Sequence, residues 1–267
     1  MKAPKTMKRK GISPLGTLAI VFALLLMSPP SWAKEPAHAS GDQALELARR
    51  GIIKANAGDY KQALELFDAS LKASSGNVTA LFNRGKVFLL QSRLDRALQD
   101  LDKTIKFDPE AVDAYIVRGT IHRLQGDFSK AVRDLNKAVS LDPGNTGALI
   151  NRAAVFFDTG EHENALEDLG KIIQINPRMI RALGNRAYIF EQLGKYDDAI
   201  KDLAAIVAQD PNHLMAMKHL GFIYRQKEEP TKAARWYRMA LKIEDDQTAR
   251  KRLAEEIVDL EKKAQKK

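Results

Sequence analysis

One spacing governs this chain. Residues 34 positions apart match in size and character over most of its length. From Ala131, steps of 34 land on Ala63, Ala97, Ala165, Ala199 and Ala233. From Gly119 they land on Gly51, Gly85, Ala153, Ala187 and Gly221, and from Pro143 on Pro109, Pro177 and Pro211. The bulky Leu135 recurs as Phe67, Leu101, Leu169, Leu203 and Tyr237, and Gly126 recurs as Gly58, Gly160 and Gly194. A chain with small, bulky and breaker positions in one phase makes one supersecondary unit per period. Such a unit buries its apolar faces only against its neighbours.

The unit reads most cleanly between Val112 and Asn145. Val112 to Leu124 has the pattern of an amphipathic helix, Gly126 breaks it, and Asp127 to Leu141 reads as a second helix that Pro143 ends. Gly119, Ala131 and Ala138 mark a close crossing, with Tyr115, Phe128 and Leu135 filling the space around it. Asp108, Asp142, Asn176 and Asp210 each precede a proline, which pushes the residue before it out of the helical region. This pattern resembles the tetratricopeptide repeat family. The resemblance covers Ala44 to about Gln247. It implies an all-α fold: a right-handed α-solenoid of about six 34-residue helix-turn-helix repeats, starting near residues 44, 78, 112, 146, 180 and 214. Residues 248–267 then form a C-terminal capping helix and basic tail, with Leu253, Ile257 and Leu260 as the apolar stripe. Two repeats depart from the turn pattern, with Ser92 and Glu228 at the glycine place. The last repeat has Asp245 where a closing proline is expected, and Pro230 opens its second helix.

Residues 1–33 read as a secretory signal peptide, with a basic start, an apolar run from about Leu15 to Met27, and Ser31-Trp32-Ala33 as the cleavage site. Ala37-His38-Ala39 is a second candidate cut. The apolar run is short of the ~20 residues of a membrane span. The expected destination is therefore the periplasm or the exterior, and the chain meets a membrane only if the leader stays uncleaved. Residues 34–43 read as a polar linker. The formal net charge is +9, of which Lys2, Lys5, Lys8, Arg9 and Lys10 supply five, leaving +4 (9 minus 5) for the rest. That balance does not call for nucleic acid. The absence of cysteine excludes disulfides, thiol catalysis and cysteine-type zinc sites.

No chemistry of catalysis is legible. The histidines His38, His122, His162, His213 and His219 do not pair at metal-ligand helical spacing, and His122 and His162 stand at repeat positions of aromatics. There is no phosphate loop, nucleophile elbow or dinucleotide-binding glycine pattern. The expectation is a non-enzyme with no metal and no cofactor.

In the family this chain resembles, the first helix of each repeat lines an inner groove. That resemblance places Asn83, Lys86, Arg123, Asn151, Phe157, Arg181, Asn185, Tyr188, Lys218, Phe222 and Arg225 along a peptide-binding face. It also places Phe82, Leu89, Ile116, Thr120, Ile150, Glu191 and His219 there. Asn83, Asn151 and Asn185 share one repeat position, where asparagine in peptide-binding members of the family holds a partner's backbone; an amide both donates and accepts. Lys86, Arg123, Arg181, Lys218 and Arg225 outnumber Asp158 and Glu191, which favours an acidic extended segment. Ala48 and Ile52 stand where chaperone-tail binders of the family carry lysine and asparagine, which argues against that role. The resulting expectation is an exported adaptor that holds a partner protein's segment. The alternatives are a self-associating envelope scaffold, hence a homo-oligomer, and an assembly factor for exported enzymes or cytochromes.

Overall fold

The structure, a computed structural model, describes residues 39–265. The leader, the cleavage sites at Ala33 and Ala39 and the last lysines of the tail fall wholly or partly outside the described residues. Helices pair in sequence order. α1 (Ala39–Asn56) pairs with α2 (Tyr60–Ala73), α3 (Val78–Leu90) with α4 (Leu94–Phe107), and α5 (Val112–Leu124) with α6 (Phe128–Leu141). α7 (Thr146–Thr159) is followed by α8 (His162–Ile175), α9 (Ile180–Gln192) pairs with α10 (Tyr196–Gln209), and α11 (Leu214–Gln226) with α12 (Pro230–Ile243). α13 (Gln247–Gln265) comes last. Among the described residues there is no strand, and no helix is long and apolar enough to cross a membrane. The fold is an all-α repeat solenoid.

One boundary differs from the sequence reading. α1 begins at Ala39, so the last part of the expected 34–43 linker is helical. Asp42 in its first turn complements the helix dipole, and the Ser70 hydroxyl donates to the Ala44 carbonyl at 2.6 Å, tying this turn to α2.

The turns follow from residue chemistry. Gly58, Gly126, Gly160 and Gly194 take φ between 70° and 83°, the left-handed region that glycine enters without strain. Ser92 (φ 58°) and Glu228 (φ 55°) adopt the same conformation at the same place. Asp59 and Asp127 then cap the second helices by accepting from the backbone N–H of Gln62 and Lys130. At the far end of the four middle second helices, Asp108, Asp142, Asn176 and Asp210 leave the helical region. Each accepts from the N–H two residues on, so a compact turn carries the chain into the next repeat.

Close crossings sit where the small residues predict them. A Cβ on Gly119 would lie 2.9 Å from Leu135 Cγ and 3.2 Å from the Ala131 carbonyl oxygen, and one on Gly221 would lie 2.4 Å from the Tyr237 ring. Gly85 is looser, with nothing nearer than 3.4 Å.

A polar ladder accompanies these crossings. In four hairpins an arginine on the first helix grips a buried aspartate on the second with two N–H donors. The Nε and Nη2 distances are 2.7 and 2.7 Å for Arg84–Asp100, and 2.8 and 2.7 Å for Arg118–Asp134. They are 2.8 and 2.7 Å for both Arg152–Asp168 and Arg186–Asp202. Arg84 and Arg118 also reach back to Asp68 and Asp102 on the preceding hairpin at 2.5 and 2.8 Å. These hydrogen bonds raise the arginine pKa values above the ordinary guanidinium value.

The chain divides into two compact units. The first ends at Asn151 and the second begins at Arg152, within α7. The first is built on Leu101, Ile116, Ile121 and Leu135 and their neighbours. The second is built on Leu203, Ile206, Leu220 and Ile223. Its last helix lays Leu253, Ile257 and Leu260 against Ala233, Tyr237 and Ala240, as the sequence stripe predicts for a cap.

Candidate partner-binding cleft

In the first unit most of the expected groove residues are spent on the fold. Phe82, Leu89 and Ile116 belong to its core, and Arg123 is buried. Asn83 and Asn151 donate through Nδ2 to the carbonyls one turn back in their own helices, Thr79 and Gly147, at 2.8 Å each. Asn151 is only 4 % exposed, and its Oδ1 lies 3.3 Å from the Thr120 hydroxyl. Lys86 lies with its Nζ 5.4 Å from the centre of the Phe82 ring. Burial lowers the Lys86 pKa and raises that of Asp113, while their opposite charges pull each back toward its ordinary value.

The second unit presents these positions differently. On α9, residues 181, 184, 188 and 191 fall on one stripe at helical spacing. Arg181 and Asn185 are exposed, and Tyr188 is 44 % exposed, with its ring centre 5.4 Å from that of Phe157. Phe157 lies in turn 5.3 Å from the His162 ring, so His162 has the packing role expected of it. Asn185 makes no hydrogen bond among the described residues, and its amide is exposed. Facing this stripe, α11 carries Met215, 55 % exposed, together with Lys218, His219, Phe222 and Arg225. Between the two helices lies an open cleft of ≈ 160 Å³, walled by Tyr188, Met215 and the Glu191–His219 pair and floored by Ile206.

The excess of positive charge read from the sequence is neutralised in part. Lys218 pairs with Glu244, Arg225 Nη1 lies 2.8 Å from Glu256 Oε1, and His219 Nδ1 lies 2.7 Å from Glu191 Oε2. Glu244 and Glu256 come from the end of the array, outside the first helices over which the charge was counted. Arg181 makes no ion pair among the described residues. It is exposed yet walled closely enough that desolvation lowers its pKa from the ordinary value. Of the expected residues, the second unit therefore brings Arg181, Asn185 and Tyr188 to one open face, with Phe157 behind. Lys218 and Arg225 are present but engaged.

Sequence reasoning missed Gly184 and Met215, which shape the cleft. Their signal is a departure from the repeat. Steps of 34 from Ala48 give Phe82, Ile116, Ile150, Gly184 and Lys218, so a position that is bulky in the three repeats before it becomes a glycine once.

A two-helix unit repeated every 34 residues, with a small-residue crossing and an open face on the first helices, defines a helical repeat protein of the interaction class. The chain belongs to the tetratricopeptide repeat family. Models of that family match residues 48–112 and 185–249, 156–213, and 112–145. Among solved structures, MamA is 27 % identical, with 60 % of this chain and 94 % of that chain covered and a TM-score of 0.55. YrrB, described as a tetratricopeptide repeat protein with an unusual peptide-binding site, is 22 % identical over 71 % of this chain and 97 % of its own, with a TM-score of 0.57. PilF of Pseudomonas aeruginosa is 14 % identical over 82 % of this chain and 100 % of its own, with a TM-score of 0.70. The last two likenesses speak to fold. No curated protein matches the sequence.

Proposed function

We propose that the chain is an exported, non-catalytic adaptor. It holds an extended segment of another envelope protein along the exposed face of the second unit. The observation that carries this reading is the stripe of Arg181, Asn185 and Tyr188 beside an apolar cleft, with an asparagine amide and a guanidinium both left without partners in the fold. An amide that can donate and accept suits a peptide backbone, an aromatic supplies contact area at low entropy cost, and a guanidinium suits a carboxylate. Peptide recognition by a protein of this fold is also what the description of YrrB records.

Capture from an envelope extract on the full chain tests the reading. Asn185→Ala combined with Tyr188→Ala should lower capture of the main bound protein about tenfold or more, from one lost hydrogen bond and a lost aromatic contact. Lys137→Ala, on an exposed face of α6, should leave it unchanged. Full capture by the double variant overturns the reading. Export is tested by the intact mass of the protein from its native host. A chain beginning at Lys34 agrees with it, and an intact Met1 in the cytosol contradicts it.

A further inference from the structure

We infer that Gly184 opens a side-chain socket in the second unit. The socket takes an apolar side chain of four non-hydrogen atoms, of the size of leucine, isoleucine or methionine, from an extended protein segment that carries a carboxylate one or two residues away. The inference rests on the peptide-holding reading above and specifies what the segment must contain.

The argument begins with the repeat. At the position of Gly184 the first repeat places the buried Ala48, the second to fourth place Phe82, Ile116 and Ile150, which are 3 %, 0 % and 5 % exposed, and the sixth places Lys218, which is held by Glu244. Those repeats fill this space with a side chain of their own. The fifth repeat leaves it empty. Glycine inside a helix destabilises it, so a helical glycine calls for a local reason. Neither usual reason applies. The backbone of Gly184 is not in the left-handed region, and an added Cβ would meet only Ile206 Cδ1 at 3.8 Å, an ordinary contact. The close crossing of this hairpin is made at Ala187 instead, the position equivalent to Gly119. What the glycine does provide is volume. The cleft of ≈ 160 Å³ has Gly184, Ala187 and Ala216 among its lining and Ile206 and Leu203 beneath. Apolar cavities of about 150 Å³ hold a ring the size of benzene. Tyr188 and Met215 stand over the opening, 44 % and 55 % exposed, where two large apolar groups gain from being covered.

The surroundings say what brings the side chain. Asn185, the next residue, has its amide free for a backbone. Arg181 lies three residues earlier on the helix, about 4.5 Å along the axis at 1.5 Å per residue. An extended chain advances ~3.3 Å per residue, so a group meeting Arg181 sits one or two residues from the one in the socket. Arg181 makes no ion pair among the described residues, and a carboxylate complements it. A free aliphatic molecule would use neither group.

The probes are the capped hexapeptides Gly-Ser-Leu-Asp-Ser-Gly and Gly-Ser-Leu-Ser-Asp-Gly, titrated to millimolar concentration against the full chain. The readout is the NMR signals of the Met215 and Ile206 methyl groups. At least one peptide should shift both methyls. Replacing its leucine by alanine, or its aspartate by asparagine, should weaken binding tenfold or more. Gly184→Ile should abolish the shifts and keep or raise the melting temperature, because it restores the side chain that Ile116 and Ile150 supply. The socket is overturned if Gly184→Ile binds the peptide unchanged or fails to fold, the latter because the space would then not be spare. It is also overturned if no peptide of the series shifts either methyl, or if the methyls are instead covered by a second copy of the chain in mixed-label samples. Envelope capture that survives Gly184→Ile but is lost with Asn185→Ala and Tyr188→Ala would sink the socket alone and leave the peptide-holding reading intact.

Discussion

Ser92 shows how a single residue departs from its repeat at a cost. Gly58, Gly126, Gly160 and Gly194 make the same turn in the left-handed region, and Ser92 is held there at φ 58°. A side chain in that region is destabilised by roughly 1–2 kcal/mol relative to glycine, from the clash of Cβ with the following carbonyl. The residue is exposed, so its hydroxyl has water for company. Glycine gives back part of the gain through its freer unfolded chain. Ser92→Gly should therefore stabilise the protein by about 0.5–1 kcal/mol, seen as a higher urea midpoint at unchanged slope. A lower midpoint would mean that the serine side chain contributes a contact that the turn geometry does not reveal.

At the scale of helices, the arginine–aspartate clamps join the two members of a hairpin as surely as the apolar crossings do. Asp134 is buried, and Arg118 spans it and Asp102 of the hairpin before. Removing one partner of a buried pair costs roughly 3–5 kcal/mol. Because the Arg118 side chain is 21 % exposed, part of its charge is solvated, and Asp134→Ala should cost about 2–3 kcal/mol by urea denaturation. The last hairpin offers the remedy, since Leu220 and Trp236 stand where the four clamped hairpins keep Arg and Asp. Arg118→Leu together with Asp134→Trp should recover most of that loss, because the double change leaves no unpaired charge. A double variant as unstable as Asp134→Ala would show that the clamp is not exchangeable for packing. The helices themselves were legible, because glycine, alanine and proline recur in phase and each forces a local geometry. The clamps were not, because their partners lie 16 residues apart and an apolar pattern carries no trace of them; stepping by 34 from Arg84 and from Asp100 would have found them. The asparagines taught the opposite lesson. Asn83, Asn151 and Asn185 share a repeat position, yet neighbours decide whether the amide bonds back to its own helix or stays exposed, and periodicity cannot see neighbours.

Across the whole molecule, a repeat array is held together by nearest-neighbour contacts, and its last repeat depends on what covers it. Here α13 covers the final hairpin, and the junction between α12 and α13 is closed by Glu244. That buried carboxylate accepts from Lys218 and from the Asp246 N–H, while Arg250 donates to the carbonyls of Leu241 and Glu244. The hydrogen bond from Lys218, then that from the Asp246 backbone, hold the Glu244 carboxyl below its ordinary pKa. A carboxyl with a lower pKa folded than unfolded stabilises the fold above its unfolded value, near 4.3 for glutamate, and loses that contribution as pH falls through the folded value. The melting temperature should accordingly drop as pH falls below about 5, and the drop should be smaller in Glu244→Gln, which has no such proton to gain. Glu244→Gln should start lower at neutral pH, with the two curves converging in acid, and proteolysis at pH 4 should cut first around residues 244–247. Parallel curves for the two proteins down to pH 3 would show that Glu244 does not link the cap to the array.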